Sequence, residues 1–264
     1  MSEELGSRPE GAIHWLTLNR PARRNALTRG LARALSCEID RVAGLGQVEV
    51  EVVVLAGAGG HFCAGLDLHW LRSLGAEPTL FDLQRGLADF QSAVLAVARC
   101  PVPVIAAVEG TAAGFGLDLA LACDFRIAAA DATFTSAFAR MGLVPDGGSS
   151  YTLPRLVGAG HALRILLAGE TLDAARAHAL GMVDEVVQSS GLEDAIHRLT
   201  AALSANAASS VRTIKQLLRG PELASLEAAL AAEGAAQLRA LREPEFRRRL
   251  EAFVTRVSPS GTKA

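Results

Sequence analysis

The amino-acid sequence predicts an α/β fold that is built on a largely parallel sheet and followed by a helical region. Strand and helix patterns alternate along the first part of the chain, which is the order that parallel strands joined by crossover helices require. The strand patterns are continuously apolar, as in strands that are buried on both faces of a sheet. From Leu192 onward, only helical patterns occur.

Each predicted element follows from one of two patterns. A strand is predicted where apolar and β-branched residues run together, and a helix where apolar residues recur every three or four positions. Thr28 is expected to cap the first helix, and Thr171 a later helix that ends at Gly181. The predicted strands are 12–18, 50–55, 102–108 and 182–187, and the predicted helices are 29–43, 67–73, 117–122, 161–167, 172–180, 192–204, 211–218, 223–241 and 246–257.

The composition argues against several classes of protein. Half of the 264 residues are hydrophobic, and the net charge of −2 gives no basis for binding nucleic acid or an anionic membrane surface. The four cysteines have neither C-x-x-C spacing nor paired histidines, so we expect no metal site and no disulfide framework. The polar N-terminus lacks the apolar core of a signal peptide, and no apolar run suits a membrane span, so the expected location is the cytoplasm.

Glycines mark two places where a strand turns into a helix. The third predicted strand is followed by Gly110, Gly114 and Gly116 and then by a short helix, and Gly65 occupies a similar turn after the second strand. The first N–H groups of a helix lack intrahelical partners and carry partial positive charge, so such a turn can bind an anion. Two turns whose N–H groups converge on one point would form an oxyanion hole. For either turn alone, tight backbone packing explains the glycines equally well.

Several short segments follow one another in a specific order. They are 19–21 (NRP), 25–27 (NAL), 62–68 (FCAGLDL), 101–110 (PVPVIAAVEG), 113–116 (AGFG), 142–148 (GLVPDGG) and parts of 169–183. In this order they resemble the crotonase superfamily, the enoyl-CoA hydratases and isomerases. The resemblance implies a spiral of repeated ββα units over residues 1–195 and a helical region over 196–264 that forms homotrimers or hexamers. It also implies an acyl-CoA thioester as substrate and no separate cofactor, with Arg256 reaching a neighbouring CoA.

The same resemblance implies an oxyanion hole made by the backbone N–H groups of Leu66 and Phe115. Relatives usually carry glycine where Phe115 stands; the N–H is retained, and the phenyl ring either narrows the acyl pocket or packs beneath the loop. The arginines of the basic loop are expected to meet the phosphate or adenine end of CoA, with simple solvation as the alternative. The residues implied to bind substrate or CoA are Arg23, Arg24, Ala64, Asp67, Leu68, Gly114 and Phe138.

Two carboxylates carry the hypotheses on proton transfer. Hydratases of the family use two glutamates, and the aligned positions hold Asp118 and Phe138, whose ring cannot transfer a proton. Asp146 lies in a segment that resembles the isomerase branch, the delta-3,delta-2-enoyl-CoA isomerases and the isomerases of ring-epoxidised phenylacetyl-CoA. In that branch an Asp or Glu here shuttles the proton, so Asp146 is the expected general base and Asp118 an auxiliary acid or orienting group. The alternatives are a Pro-Asp-Gly turn at Asp146 and a carboxylate that complements a helix dipole at Asp118.

Three functions fit these residues. The first is an acyl-CoA isomerase that moves a double bond of an enoyl-CoA, because one carboxylate suffices to take a proton from one carbon and return it to another. The second is an enoyl-CoA hydratase in which Asp118 and Asp146 together hold a water. The third is an acyl-CoA-binding protein without turnover, in which Phe115 and Phe138 block the acyl pocket.

Overall fold

A six-stranded sheet runs through the computed structural model, which describes residues 3–44, 50–73 and 79–257. In spatial order its strands are β1 (Leu5–Glu10), β2 (Ile13–Leu18), β3 (Val52–Gly57), β4 (Val104–Val108), β6 (Phe125–Ala129) and β9 (Glu185–Val187). The pair β1–β2 is antiparallel, and every other neighbouring pair is parallel.

A second, smaller sheet lies beside the first and has three strands. They are β5 (Thr111–Ala113), β7 (Thr133–Thr135) and β8 (Thr171–Asp173), in that order. β5 and β7 are parallel, whereas β7 and β8 are antiparallel. Since β5 directly follows β4 in the chain, this sheet positions the turn that leads into the next helix.

Helices cover both sheets. In chain order they are α1 (Arg29–Ala43), α2 (Leu68–Ser73), α3 (Leu80–Arg99), α4 (Phe115–Ala122), α5 (Ser149–Val157), α6 (Ala159–Ala168), α7 (Ala174–Ala179), α8 (Leu192–Ser204), α9 (Ala208–Ala240) and α10 (Pro244–Val257). Within the described ranges, no helix is long and apolar enough to cross a membrane.

Strand β3 explains why the apolar runs form an internal sheet. Its side chains alternate, so that Val53 and Leu55 face the main core, whereas Val52 and Val54 face a second cluster that includes Ile196 of α8. All four strand side chains are fully buried. Because both faces of the sheet are covered, a continuous apolar run is needed. The predicted α/β fold, with a largely parallel sheet and a helical C-terminal region, is confirmed.

The two predicted helix caps have different outcomes. Thr28 caps α1, as predicted, because its hydroxyl accepts a hydrogen bond from the N–H of Leu31 at 3.0 Å. The prediction that Thr171 caps a helix is wrong, because Thr171 begins β8. The cap is Asp173, whose carboxylate accepts from the N–H of Arg176 at 2.7 Å.

The predicted division of 211–241 into two helices is also wrong. Helix α9 is continuous from Ala208 to Ala240, with Pro221 inside it. A proline removes the hydrogen bond to the carbonyl four residues earlier, here that of Leu217. The side chain of Leu217 is 71% exposed, so water can reach this part of the helix and satisfy the carbonyl.

Several elements were absent from the sequence-based prediction, among them the strands β1 and β6 and the helices α3 and α5. β1 has a polar sequence and lies at the edge of the sheet, where one neighbouring strand suffices and Pro9 is tolerated. Helix α3 is amphipathic and buries Leu83, Leu87, Phe90 and Val94 against the core, a helical spacing that the sequence contains.

The predicted division into a core (1–195) and an oligomerisation region (196–264) stays a prediction. Helix α8 runs across the predicted boundary and packs Ala195 and Ile196 against the sheet, and α9 buries Leu226 and Leu230 in the main core. The polar sequence of residues 258–264 predicts a disordered tail, but these residues and the side chain of Arg256 lie outside the described part of the chain.

Asp124 ties the sheet to α9. Its carboxylate accepts a hydrogen bond from the N–H of Val104 at 2.8 Å and forms ion pairs with Lys215 and Arg219. Only 13% of the Asp124 side chain and 9% of the Lys215 side chain are exposed.

We expect Asp124→Ala to lower the free energy of unfolding by about 3 kcal/mol, because it leaves a buried ammonium group without its partner. Urea unfolding at constant pH measures this. Glu222→Ala is the matched control, since the Glu222 side chain is 44% exposed and its ion pair with Arg219 is long, at 3.8 Å. Its loss should lower the free energy of unfolding by less than about 1 kcal/mol. Equal effects of the two substitutions would contradict the structural role of Asp124.

Candidate active site

The two glycine-containing turns are joined to each other through Cys63. The N–H of Cys63 donates to the carbonyl oxygen of Thr111, and the carbonyl oxygen of Cys63 accepts from the N–H of Ala113, both at 2.9 Å. A Cβ atom on Gly116 would lie 2.3 Å from the Cys63 carbonyl oxygen. Only glycine therefore allows α4 to begin this close to the first turn.

The N–H groups of Leu66 and Phe115, the predicted oxyanion donors, lie at these two turns. Gly65 has φ of +96°, and a Cβ atom built on it would lie 3.5 Å from the Phe115 nitrogen, so the two turns face each other. Within the described ranges, neither N–H donates to a protein acceptor. Beside Gly114, no described atom beyond its chain neighbours lies within 4 Å of the Cβ position. Two N–H groups without a described acceptor, on turns that face each other, are the kind of donor pair from which an oxyanion hole is built.

The ring of Phe115 packs beneath the loop. Phe115 is 1% exposed, and its ring contacts the ring of Phe90 at a centroid distance of 5.8 Å. The other edge of the ring lies beside Gly147, where an added Cβ atom would come within 3.0 Å of it. The phenyl group thus belongs to the main core, and the backbone N–H of Phe115 has no acceptor among the described residues.

Asp118 lies in the first turn of α4 and is 1% exposed. Its Oδ2 atom accepts a hydrogen bond from the N–H of Gly147 at 3.0 Å, whereas its buried Oδ1 atom has no partner among the described residues. Burial raises the pKa of Asp118 well above its usual range, and the charges of Glu233 and Asp146 raise it further. Burial therefore favours the protonated, neutral form of this carboxyl group.

Asp146 lies in the segment that leads into α5 and is 2% exposed. Its Oδ2 atom accepts from the amide Nε2 of Gln237 at 3.0 Å, and its buried Oδ1 atom has no partner in the described part of the chain. Burial raises the pKa of Asp146 to about 7; the hydrogen bond from Gln237 opposes this shift and the charge of Glu233 adds to it. A carboxyl group with a pKa near neutrality can both accept and release a proton.

Sequence reasoning missed three polar residues that surround Asp146. Glu233 and Gln237 reach it from α9, and Gln91 reaches it from α3. A signal was present, because Leu226, Leu230, Glu233 and Gln237 recur at helical spacing, so a charged and an amide side chain lie on the apolar face of the helix.

Four of the predicted CoA-binding residues lie around the turn at Gly65 and Leu66, here called the Leu66 turn; they are Arg23, Arg24, Ala64 and Asp67. Arg23 and Arg24 are exposed, and the carbonyl oxygen of Arg24 accepts from the N–H of Ala64 at 2.9 Å, which brings the basic loop next to the turn. Asp67 has both oxygens engaged, one with the Arg20 guanidinium at 2.8 Å and one with a backbone N–H at 3.0 Å. Both carboxylate oxygens of Asp67 therefore help to hold the loop together.

Leu68 and Phe138 belong to a separate apolar cluster. Phe138 is 6% exposed and packs with residues of α2, α3 and α10, among them Leu71, Leu83 and Phe246. Leu68 is half-buried against the same cluster. The ring at the second glutamate position of hydratases thus lies in apolar surroundings.

Other features of the molecule lie apart from these residues. A cavity of about 840 Å³ opens between α5, α8 and α9 and is lined by none of the predicted site residues. The described residues contain one group with the spacing of metal ligands, formed by the largely exposed side chains of Glu10, Glu193 and His197 on β1 and α8.

Comparison of the chain with known proteins identifies one family. The family model described as enoyl-CoA hydratase/isomerase matches residues 8–262. The chain is 36% identical to 1,2-epoxyphenylacetyl-CoA isomerase of Escherichia coli, over 99% of both chains. It is 33% identical to a probable enoyl-CoA hydratase of Rhodobacter capsulatus, over 94% of this chain and 93% of that protein.

Solved structures have the same fold. An enoyl-CoA hydratase from Bacillus halodurans superposes with a TM-score of 0.89 at 26% identity, over 95% of this chain and all of that one. An enoyl-CoA hydratase from Mycobacterium avium subsp. paratuberculosis superposes with a TM-score of 0.86 at 30% identity, over 95% and 99% of the two chains. The chain therefore belongs to the enoyl-CoA hydratase/isomerase family of the crotonase superfamily.

Proposed function

We propose that this member of the family is an acyl-CoA isomerase that moves the double bond of an enoyl-CoA. The thioester oxygen accepts hydrogen bonds from the N–H groups of Leu66 and Phe115. The Asp146 carboxylate takes a proton from the α-carbon of a 3-enoyl-CoA, and the electron pair moves into the thioester oxygen. The same carboxyl group then returns the proton to the γ-carbon, which gives the 2-enoyl-CoA.

The observation that carries this proposal is the bonding of the Asp146 carboxyl group. One of its oxygens is held by Gln237, and the other is buried without a partner in the described residues. A buried oxygen without a partner is unfavourable unless a ligand or water meets it. With its pKa near 7, this group is suited to take up and release one proton at neutral pH.

In this proposal Asp118 is a neutral orienting group. Its burial raises its pKa and so favours the neutral form, and its Oδ2 atom accepts a hydrogen bond from the N–H of Gly147, the residue that follows Asp146. A protonated acid at this place cannot act as a second base for water at neutral pH. That condition favours isomerisation over hydration, which needs a base for water and an acid for carbon.

Hydration is the second candidate, and one observation favours it. Asp118 and Asp146 each bury one oxygen that has no partner in the described chain, so a water between them would satisfy both. The probable hydratase of R. capsulatus is among the similar proteins.

CoA is proposed to lie along the basic loop of Arg23 and Arg24, because this loop is bonded to Ala64 beside the Leu66 turn. Assembly of the chain into homotrimers or hexamers stays a prediction.

The substrate test uses a 3-enoyl-CoA and a 2-enoyl-CoA in separate reactions, with products identified by mass. We expect the first to be converted without a change of mass and the second to gain no water. Water addition would support the hydratase, and binding of both substrates without turnover by the wild type would support a binding protein.

Asp146→Asn should lower kcat by about 10²- to 10⁴-fold while acyl-CoA still binds, because the amide keeps the shape but cannot act as a base.

Asp118→Asn separates the two enzymatic candidates. The amide oxygen can still accept from Gly147, and the group stays neutral, so isomerisation should change by less than about tenfold. A loss comparable to that of Asp146→Asn would indicate a pair of carboxyls that holds water.

The same variant tests the burial of Asp118. Because the pKa of Asp118 is raised by folding, the wild type loses stability as pH rises above the ordinary carboxyl range of about 4. The variant lacks this loss. The free energy of unfolding of the variant minus that of the wild type, measured in urea titrations, should therefore be larger at pH 8 than at pH 5. An advantage that is equal at both pH values would contradict a buried, neutral Asp118.

The pH dependence of turnover tests the state of Asp146. The base must be deprotonated, so kcat/KM should rise about tenfold per pH unit below pH 7 and level off above it, with the inflection near the pKa of about 7. A profile that is flat from pH 5 to 8 would exclude a base with this pKa.

A further inference from the structure

The backbone on both sides of Asp146 is held from three helices. Its carbonyl oxygen accepts from the amide Nε2 of Gln91 on α3 at 3.1 Å, and the N–H of Gly147 donates to Asp118 on α4. The N–H groups of Gly148 and Ser150 donate to Glu233 on α9, at 2.7 and 2.9 Å. This segment therefore has little freedom to move relative to the oxyanion turns.

We propose that Glu233 and Gln237 of α9 are positioning residues for the proton transfer: they hold the segment 144–150 and one oxygen of Asp146, so that only Oδ1 of Asp146 is left to exchange a proton. This inference rests on the proposed role of Asp146 as the base. It assigns a function to a helix that the sequence associated only with oligomerisation.

The geometry of Gln237 leaves it one orientation. Its Oε1 atom accepts from the N–H of Val144 at 3.1 Å, and its Nε2 atom donates to Asp146 Oδ2 at 3.0 Å. A backbone N–H only donates, so the amide oxygen must face Val144 and the amide nitrogen must face Asp146. With 1% exposure, Gln237 has no room for another arrangement.

Glu233 has the bonding pattern of a carboxylate at a helix N-terminus. It accepts from two N–H groups where the nine-residue helix α5 begins, and it is 6% exposed. Hydrogen bonds to a charged acceptor and the dipole of α5 both stabilise this arrangement. The same negative charge raises the pKa of Asp146, whereas the hydrogen bond from Gln237 lowers it.

The two residues thus act on Asp146 with opposite sign. Among the described residues, the titratable groups that face Asp146 are Asp118 on α4 and Glu233 on α9. Gln91, the neighbour from α3, is uncharged, and so is Ser149 of α5, which lies beside Asp118. Removing the charge of Glu233 should lower the pKa of Asp146, and removing the amide of Gln237 should raise it.

The test compares Glu233→Gln and Gln237→Met with the wild type and with Glu227→Gln. Glu227 is the matched control, because it lies on the same helix and loses the same charge, but pairs with Arg99 at the surface. Gln237→Met keeps the length of the side chain and removes the hydrogen bonds. The readouts are a ¹³C NMR titration of the Asp146 carboxyl carbon and the pH profile of kcat/KM, with KM measured separately.

We expect the acidic limb of the profile and the NMR midpoint to move to lower pH in Glu233→Gln and to higher pH in Gln237→Met. We also expect kcat to fall by about 10²-fold in both, as for a misplaced catalytic group, with KM changed by less than about threefold. Glu227→Gln should match the wild type. A general loss of structure would not move the two midpoints in opposite directions.

Midpoints that stay at the wild-type pH, or that move in the same direction, would overturn the inference. If Glu233→Gln does not fold, Gln237→Met alone decides. An NMR midpoint of Asp146 above that of the wild type would support the inference, and an equal midpoint would overturn it. The NMR titration needs no substrate. Opposite shifts in a protein that does not isomerise a 3-enoyl-CoA would therefore disprove the proposed function, and an active wild type with unshifted variants would disprove the positioning.

Discussion

The burial of the Asp146 carboxyl group is the constraint on which the site depends. A buried carboxylate is costly unless it is protonated or hydrogen-bonded, and here Gln237 satisfies one oxygen while the pKa rises to about 7. The same burial leaves the other oxygen for a ligand. Stability and reactivity are thus set by one environment, in which α3, α4 and α9 each bond to the segment around Asp146.

A second requirement is close approach of two backbone turns, and it explains where glycine is needed. Gly116 has no space for a side chain beside the carbonyl of Cys63, and Gly65 combines a positive φ with a close approach to Ala113. The hydrogen bonds of Cys63 then hold the N–H groups of Leu66 and Phe115 close together in space. Preorganised donors of this kind cost no reorganisation when charge develops on an oxygen.

Much of this arrangement could be predicted from the sequence, because strand runs, glycine turns and an N-cap such as Thr28 are local patterns. The contacts of the candidate site could not be predicted, because the residues that form them are far apart in the sequence. Gln237 and Asp146 are 91 residues apart, and no local rule states that the face of α9 bearing Glu233 docks on this loop. The continuity of α9 through Pro221 and the cap at Asp173 likewise depend on tertiary surroundings and on competition between neighbouring caps.

In the proposed reaction a single carboxyl group, that of Asp146, carries the proton between two carbons. The most direct measurement uses a 3-enoyl-CoA that is deuterated at the α-carbon, in ordinary water, with the position of deuterium in the first product read by NMR. We expect a measurable fraction of the deuterium to reach the γ-carbon of the same molecule. Solvent hydrogen alone at the γ-carbon, from the first turnovers onward, would contradict a single shuttle and require a second acid.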